Sequence, residues 1–367
     1  MPAPHRVLHV CESTVGGIGV FIAGLAQYQL EHGYEVAFAV PSGGPQIADL
    51  EAAGARHLPW EAIAQPKPPA IAREIKVLRG HVASFDPDVV HLHSSKAGLV
   101  GRLVVRGRRP TILQPHSWSF WARTGAIAKA TLAWERFGAR WLSAVLCVSE
   151  DERSQGIEAG IRADYRVMPN GVDLERFAPG DRAAARGELG IDASEPLAVC
   201  VGRLHRQKNQ GALLDAWPRV RGAVPGARLV LLGDGPDRPE LEERAVDGVD
   251  LAGSTGDVRP WLAAANVIAQ PSRWEGMSLS LLESLAAGRS VVVTDVTGMR
   301  EVVVDGVGAV VPPDDSGALA DAVAERLADP ARADAEGAAG RARVESHHDR
   351  RVQHEQIAGL YDELAHS

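Results

Sequence analysis

Arg273-Trp274-Glu275-Gly276-Met277-Ser278-Leu279-Ser280-Leu281-Leu282-Glu283 places two carboxylates eight positions apart, with a glycine after the first and an apolar run leading to the second. Val267-Ile268-Ala269-Gln270-Pro271-Ser272 precedes it and reads as a strand; Ser284-Leu285-Ala286-Ala287-Gly288 and the strand-like Val291-Val292-Val293-Thr294 follow. The whole reads as strand, glycine turn, helix, strand, with Glu275 at the helix mouth and Glu283 about two turns in. At ~1.5 Å rise per residue, eight helical positions span roughly 12 Å. Paired catalytic carboxyls need a separation of only ~5–10 Å. The spacing therefore fits the two ends of an extended ligand better than a catalytic dyad.

The helix mouth indicates what lies between those ends. The backbone N–H groups of Met277, Ser278 and Leu279, with the positive helix terminus, form a seat for phosphate. Carboxylates on either side of a diphosphate suit hydroxyl-rich groups, the pattern of a nucleotide sugar. The plain alternative is a pair of solvated helix glutamates. Against it, Glu283 lies within Leu279–Leu285, where a helix buries its apolar face.

In order along the chain stand Gly16-Gly17, Pro169-Asn170-Gly171-Val172-Asp173, Gly202-Arg203-Leu204 with Gln207-Lys208-Asn209, Gly233-Asp234-Gly235-Pro236, and the Glu275/Glu283 pair. The set, from about Val7 to about Pro312, resembles the family 4 retaining glycosyltransferases with their Glu-x7-Glu signature. That resemblance implies an α/β chain of GT-B fold, with two Rossmann-like β/α/β domains facing across a cleft. The implied parts are an acceptor-side domain over 1–175, a nucleotide-sugar domain over 185–349, and a C-terminal helix over 350–367 crossing back onto the first. Pro169–Asp181, rich in Pro, Gly and Asp, reads as the hinge. The chain departs from the commoner pattern at Ser278, where Pro or Gly is usual, at Arg289-Ser290, and at Thr297-Gly298-Met299, with one glycine where two are common.

Composition agrees. A chain of 367 residues accommodates two domains, and 45% apolar content is ordinary for a globular protein. Cys11, Cys147 and Cys200 lie far apart in strand-like runs and read as buried free thiols. The first residues lead into a strand rather than a signal peptide, and no apolar stretch reaches the ~18 residues of a membrane span. The expectation is a soluble, cytoplasmic protein, with peripheral contact at the inner face of the plasma membrane. Strands are predicted at Arg6–Cys11, Glu35–Val40, Ala55–Pro59, Asp88–His93, Thr111–Pro115 and Ala144–Ser149, then at Leu197–Val201, Arg228–Leu232, Val249–Ala252, Val267–Ala269 and Ser290–Thr294. Gly16 opens a helix through Glu31, and the alanine- and charge-rich Ala318–Arg343 reads as surface helices. Alternation with helices implies parallel sheets, and ligands bind at the carboxyl ends of such strands.

Arg203 and Lys208 follow one such strand, where a departing nucleoside diphosphate needs cations. With them in place no metal is required, and no Asp-x-Asp is placed to hold one. Asp314-Asp315 lies in a Pro-rich turn. Gly16-Gly17-Ile18-Gly19 lacks the third glycine of a dinucleotide fingerprint, since Ile22 stands there, so a dehydrogenase loses ground. The resemblance has the Gly16-Gly17 backbone approach donor phosphate or acceptor, and Gly233 the donor. His91, His93 and His116 end strands; as a zinc set they lack a cysteine or carboxylate. By resemblance His116 contacts the sugar or transition state, with His93 a lesser candidate. Glu275 likewise resembles the residue holding sugar hydroxyls and Glu283 the one holding the ribose. The expected catalytic group is His116, Arg203, Lys208 and Glu275. The nucleotide group is Gly16, Gly17, Arg203, Lys208, Gly233, Met277, Ser278, Leu279 and Glu283. Retention by double displacement or by same-face attack stays open; the absence of a convincing nucleophile favours the second.

Between Ser95 and Ser149 nine cations (Lys96, Arg102, Arg106, Arg108, Arg109, Arg123, Lys129, Arg136, Arg140) face one anion, Glu135. The window is net +8 in a chain of −8, which leaves −16 elsewhere. Trp118, Trp121, Trp134 and Trp141 share it. This suits an anionic membrane or phosphorylated lipid acceptor, and equally buried tryptophans among solvated arginines. No nucleic-acid motif accompanies the charge. Resemblance of His91–Gly98 and Pro115–Phe120 to enzymes extending polyprenyl-diphosphate-linked repeat units implies a glycan or polyprenyl-diphosphate-linked acceptor. A GT-B nucleotide-sugar 2-epimerase and a non-catalytic sugar-nucleotide binder are the rivals.

Overall fold

Strands buried on both faces read as unbroken apolar runs, and parallel sheets flanked by helices demand such strands. The computed structural model describes residues 5–44, 46–63, 68–121 and 123–366. They form two units: one runs up to Pro169 and resumes at Gln353, the other covers Asn170–Val352.

The first unit holds a parallel sheet of Arg6–Val10 (β1), Glu35–Val40 (β2), Arg56–Pro59 (β3), Val89–His93 (β4), Thr111–Gln114 (β5), Ala144–Cys147 (β6) and Tyr165–Val167 (β7). Its order is β3-β2-β1-β4-β5-β6-β7. The order turns back between β1 and β4, where His9 pairs with His91 in register. A core of Leu8, Val10, Val90, Leu92, Leu113 and Val145 fills one face under Trp60, Leu78, Val100 and Trp118. The tail helix Arg350–Ala365 packs on this unit: the buried Tyr361 hydroxyl lies 2.6 Å from His91 Nδ1, and Glu363 pairs with Arg166 at 2.7 Å.

The second unit holds Leu197–Val201 (β8), Arg228–Leu232 (β9), Val249–Gly253 (β10), Val267–Gln270 (β11), Ser290–Thr294 (β12) and Gly308–Val311 (β13), in the order β10-β9-β8-β11-β12-β13. Its strands also pair in parallel, and the order turns back between β8 and β11. Leu213, Trp217, Leu229, Leu231, Val267 and Val323 centre its core.

Several expectations need correction. The edge strands β7 and β13 were not foreseen: β7 is three half-buried residues with an arginine at its centre, and the short apolar run of β13 buries only Val311, so the periodic signal is weak. The helices Ser316–Ala328 and Pro330–His347 are not merely surface, because Leu319, Ala320, Val323, Leu327, Ala333 and Val344 are buried. The division falls after Pro169 rather than at 175, and at Gln353 rather than 350. The division falls at the start of the expected Pro169–Asp181 segment, and Asn170 and Val172 bond within the second unit. Asn170 Nδ2 donates to Met277 O at 2.9 Å, and Val172 N to His348 O at 2.8 Å. A methyl group on Gly171 would come within 2.3 Å of Arg350 Cα, which explains the glycine of Asn-Gly-Val-Asp. All three cysteines are buried free thiols. Among the described residues no helix is long and apolar enough to cross a membrane.

Candidate functional site

The strand order reverses between β8 and β11, and the carboxyl ends of the strands at such a point are where open α/β sheets bind ligands. The loops Gly202–Asn209 after β8 and Pro271–Ser278 after β11 meet there. Lys208 Nζ donates to Glu275 Oε1 at 2.6 Å, and Ser272 Oγ donates to the same oxygen at 2.7 Å. Glu275 is buried, 6% exposed, so the plain reading of a solvated helix glutamate fails. The two loops are further joined by Gln207 Nε2 to Trp274 O at 3.0 Å and Arg273 N to Gln207 O at 2.8 Å. Thr294, at the end of β12, donates to Ser272 O and steadies the serine that holds Glu275.

The helix is shorter than expected. It spans Leu279–Ala286, so Glu275 precedes it rather than standing at its mouth, and the eight positions do not form one helical run. Ser278 is the N-cap: its Oγ accepts from Leu281 N at 3.4 Å and bonds to Gln270 Oε1 at 3.2 Å. Ser278 thus fits its place by capping. Among the described residues the N–H groups of Met277, Ser278 and Leu279 have no hydrogen-bond partner, as a phosphate seat requires. Glu283, in the middle of the helix, is half-buried. Burial pushes its carboxyl up to about 7, against the opposing pull of Arg176 and Lys208. The turn before the helix leaves no room behind it: a methyl group on Gly298, at φ +73°, would meet Gly276 O at 1.9 Å.

Arg203 is exposed, and its guanidinium makes no hydrogen bond or ion pair among the described residues. Its carbonyl accepts from Gln210 Nε2 at 3.0 Å, which fixes the loop beneath it. Gly233, at φ +140°, packs so closely that a methyl group would lie 2.1 Å from Gly202 O. The expected cations therefore differ: Lys208 is committed to Glu275, whereas Arg203 is available to an anion.

In the first unit the corresponding reversal between β1 and β4 brings together histidines. His9 Nδ1 lies 3.0 Å from His93 Nε2, His93 Nδ1 lies 3.2 Å from His116 Nε2, and His9 Nε2 lies 2.8 Å from Gln29 Oε1. Burial pushes His9 down to about 4 and His116 to about 3, and holds His91 and His93 well below the ordinary imidazole range. All four rings are neutral at pH 7. The nitrogens of His9, His91 and His93 lie within 4.8 Å of one another and could hold a metal ion. The third member of that set is His9, not His116. In the glycine loop, Gly16 takes φ +72° at the start of the helix Gly16–Glu31, and a methyl group on Gly19 would meet Thr14 O at 2.3 Å. Glu12, beside this loop, accepts from Ser94 Oγ.

The basic segment resolves into two populations. Lys96 is buried against Glu74 at 2.7 Å and Arg102 against Glu135 at 2.8 Å, so neither is free for a lipid. Trp118 is core, at 1% exposed. Trp121, Ile127 and Phe137 are exposed at 60%, 60% and 46%, on or beside the helix Gly125–Gly138 that also exposes Lys129 and Arg136. Arg140 stacks 3.6 Å over the Phe137 ring.

Ser272, Gln270, His9, Gln29 and Tyr361 carry no site role in the sequence reading. A histidine within the apolar strand β1 was the visible signal for His9; Gln29 and Tyr361 gave none, since each joins the cluster from a separate helix.

The chain thus holds two doubly wound units, with a Lys–Glu pair at the switch point of the second. Residues 15–176 match the family described as Glycosyltransferase Family 4, and residues 195–329 that described as Glycosyl transferases group 1. The chain is 33% identical over 288 residues to alpha-maltose-1-phosphate synthase of Mycobacterium tuberculosis, covering 70% of this chain and 73% of that one. It is 35% identical over 202 residues to a GDP-mannose-dependent monoacylated alpha-(1-6)-phosphatidylinositol monomannoside mannosyltransferase of Corynebacterium glutamicum, covering 51% and 53%. The match thus spans about half the length of that relative. Sucrose-phosphate synthase from Thermosynechococcus elongatus superposes with a TM-score of 0.84 at 22% identity, over 98% of this chain and 99% of that one, and shows the shared fold. The chain belongs to glycosyltransferase family 4.

Proposed function

We propose that the protein is a retaining glycosyltransferase that moves a sugar from a nucleoside-diphosphate sugar to a hydroxyl of a lipid-linked or polysaccharide acceptor. The observation that carries this reading is the buried Glu275, held by Lys208 and Ser272 beside the unpartnered N–H groups of Met277–Leu279. In it, those N–H groups, Arg203 and Lys208 take the diphosphate, Glu283 the ribose diol, and Glu275 the sugar hydroxyls. Gly16 and Gly233 let backbone approach the ligand. His116 meets the sugar as the anomeric bond to phosphate breaks.

The chemistry follows from charge. As the C–O bond to the diphosphate breaks, negative charge grows on the phosphate and positive charge on the sugar ring. Arg203, Lys208 and the helix terminus stabilise the first. The departing phosphate oxygen accepts the acceptor hydroxyl's proton while that oxygen attacks from the same face, so the configuration is retained. These cations supply the stabilisation a metal otherwise would, and we read the reaction as metal-independent.

A lipid-borne acceptor fits the exposed Trp121, Ile127 and Phe137 among Lys129, Arg136 and Arg140, which suit an anionic membrane surface. The phosphatidylinositol monomannoside named for the Corynebacterium relative is an acceptor of this class. Nothing in the relatives supports an epimerase.

The test is thermal shift of wild type, Glu283→Ala and Arg203→Ala with UDP, GDP, ADP and their sugar conjugates, followed by nucleotide release with lipid-linked acceptors. One nucleotide series should stabilise wild type and neither variant. Equal stabilisation of all three proteins would show that the donor sits elsewhere.

A further inference from the structure

The four histidines of the first unit do more than fill a core. Each contact in the series Gln29–His9–His93–His116 involves one nitrogen of each ring, and a neutral imidazole carries one proton. The direction of the series is therefore set at its end. With the Gln29 amide turned so that Oε1 faces His9, that oxygen can only accept, so His9 Nε2 carries the proton and donates to it at 2.8 Å, and the amide Nε2 is left a buried donor without a partner among the described residues. His9 Nδ1 is then an acceptor, and His93 Nε2–H donates to it at 3.0 Å. His93 Nδ1 in turn accepts from His116 Nε2–H at 3.2 Å. His116 is left with a bare Nδ1, which has no hydrogen-bond partner among the described residues.

We propose that Gln29, His9 and His93 are positioning residues that hold His116 as its Nε2–H tautomer, so that its Nδ1 meets the ligand as a hydrogen-bond acceptor. This rests on the reading above that His116 contacts the sugar. It deepens that reading by assigning the contact's polarity: His116 accepts from a sugar or acceptor hydroxyl and does not donate to a carbonyl or phosphate oxygen.

The surroundings favour a fixed direction. His9, His91 and His93 are 0% exposed, so bulk water does not exchange tautomers there. Phe21 packs against His93 and His116 with ring centroids 5.9 and 5.1 Å away, confining both rings. Tyr361, at 2.6 Å from His91 Nδ1, occupies the fourth ring and keeps it out of the series. Reversal would need the Gln29 amide to turn over, placing its oxygen where Nε2 now stands. Direct ligation of a metal by His9 Nδ1 and His93 Nε2 would abolish the shared proton instead.

The test reads tautomers directly. In the wild-type protein labelled with 15N-histidine, long-range 1H–15N correlation should show Nε2–H forms for His9, His93 and His116, assigned through single His→Gln variants. Metal analysis of the same sample should find no stoichiometric ion. Gln29→Met should release the His116 tautomer and lower kcat about 10- to 100-fold, the usual scale for removing an orienting partner, with donor KM within about twofold. Gln29→Glu, whose carboxylate only accepts, should restore the tautomer and most of the rate. An Nδ1–H form of His116 in wild type, one bound metal per chain, or an unchanged tautomer and rate in Gln29→Met would each overturn the proposal. Full turnover by His116→Ala with the wild-type tautomers intact would leave the series standing and sink the reading of His116 as a sugar contact.

Discussion

Lys208 Nζ and Glu275 Oε1 lie 2.6 Å apart across the point where the second sheet reverses its strand order, and Ser272 Oγ shares that oxygen. The lysine side chain is 21% exposed and the glutamate 8%, so the pair sits at the edge of solvent. A lysine placed thus has two further N–H groups for phosphate. One residue thereby couples the fold of the site to its charge.

Lys208→Ala should be costly twice. It leaves Glu275 buried with Ser272 as its remaining hydrogen-bond donor among the described residues; for a partly exposed pair, the loss is on the order of 1–3 kcal/mol. Turnover should also fall roughly 10²-fold as the leaving phosphate loses a cation. Denaturant unfolding and steady-state kinetics measure the two separately. Wild-type stability in Lys208→Ala would mean the ion pair contributes nothing to the fold.

Glu283 gives a pH signature. Below pH ~4.3 its carboxyl is protonated in both folded and unfolded chains and makes no pH-linked difference. Between ~4.3 and the folded value of about 7, only the unfolded chain gives up the proton, so stability falls as pH rises; above about 7 the loss is complete. Glu283→Gln removes this cost, on the order of 3–4 kcal/mol. Its melting temperature should exceed that of wild type at pH 8 and match it at pH 4. Nucleotide affinity should move the other way. If the carboxylate holds the ribose, wild-type binding strengthens through pH 7 and the variant's stays flat. Parallel pH profiles in melting and binding would exclude both effects.

The strands of both sheets were largely legible because buried parallel strands advertise themselves as apolar runs. What was hidden involved polar groups whose partners are distant in sequence. Arg289-Ser290 looks anomalous along the chain. In the fold Arg289 bonds Ala265 O and Ala287 O, while Ser290 joins Glu336, which Arg326 already pairs at 2.8 Å. A 46-residue separation between Ser290 and Glu336 has no periodicity to detect. Glu275 was legible as a site residue, but its environment was not. Its serine partner is three residues away and its lysine 67, and only the second tells that the carboxylate is buried and paired. The histidine series was half legible for the same reason: β4 shows His91 and His93, whereas Gln29 arrives from a helix.

Backbone contact behind the site makes a sterically decisive test. Gly298→Ala would drive a methyl into Gly276 O, 1.9 Å away, in a conformation that L-residues avoid at φ +73°. Gly233→Ala would do the same to Gly202 O at 2.1 Å. Each should cost about 2–3 kcal/mol by overpacking and backbone strain. The functional consequences should differ. Displacing Gly276 moves Glu275 and Met277 together and so weakens both sugar and phosphate contacts. Displacing Gly202 moves Arg203 alone and so weakens nucleoside diphosphate and nucleotide sugar equally. Calorimetric titration with each ligand separates the cases, and identical affinity profiles for the two variants would refute the division of roles.

The exposed aromatic and aliphatic groups beside Gly125–Gly138 make the last expectation. Trp121, Ile127 and Phe137 leave large apolar surfaces in water, Lys129, Arg136 and Arg140 are exposed in the same segment, and Arg140 stacks over Phe137. Exposed side chains contribute little to folding, so Trp121→Ser with Phe137→Ser should change stability by no more than about 0.5 kcal/mol. At a membrane the same groups bury apolar area, and each nearby cation adds about 1 kcal/mol on an anionic surface. Cosedimentation with phosphatidylglycerol vesicles should therefore fall at least tenfold in the double variant, and also in Lys129→Glu with Arg140→Glu. High salt should weaken the wild type, since counterions screen the second contribution and not the first. Vesicle binding that survives both pairs of substitutions would place any membrane contact on another surface, and Lys96 and Arg102, already paired inside the first unit, would not supply it.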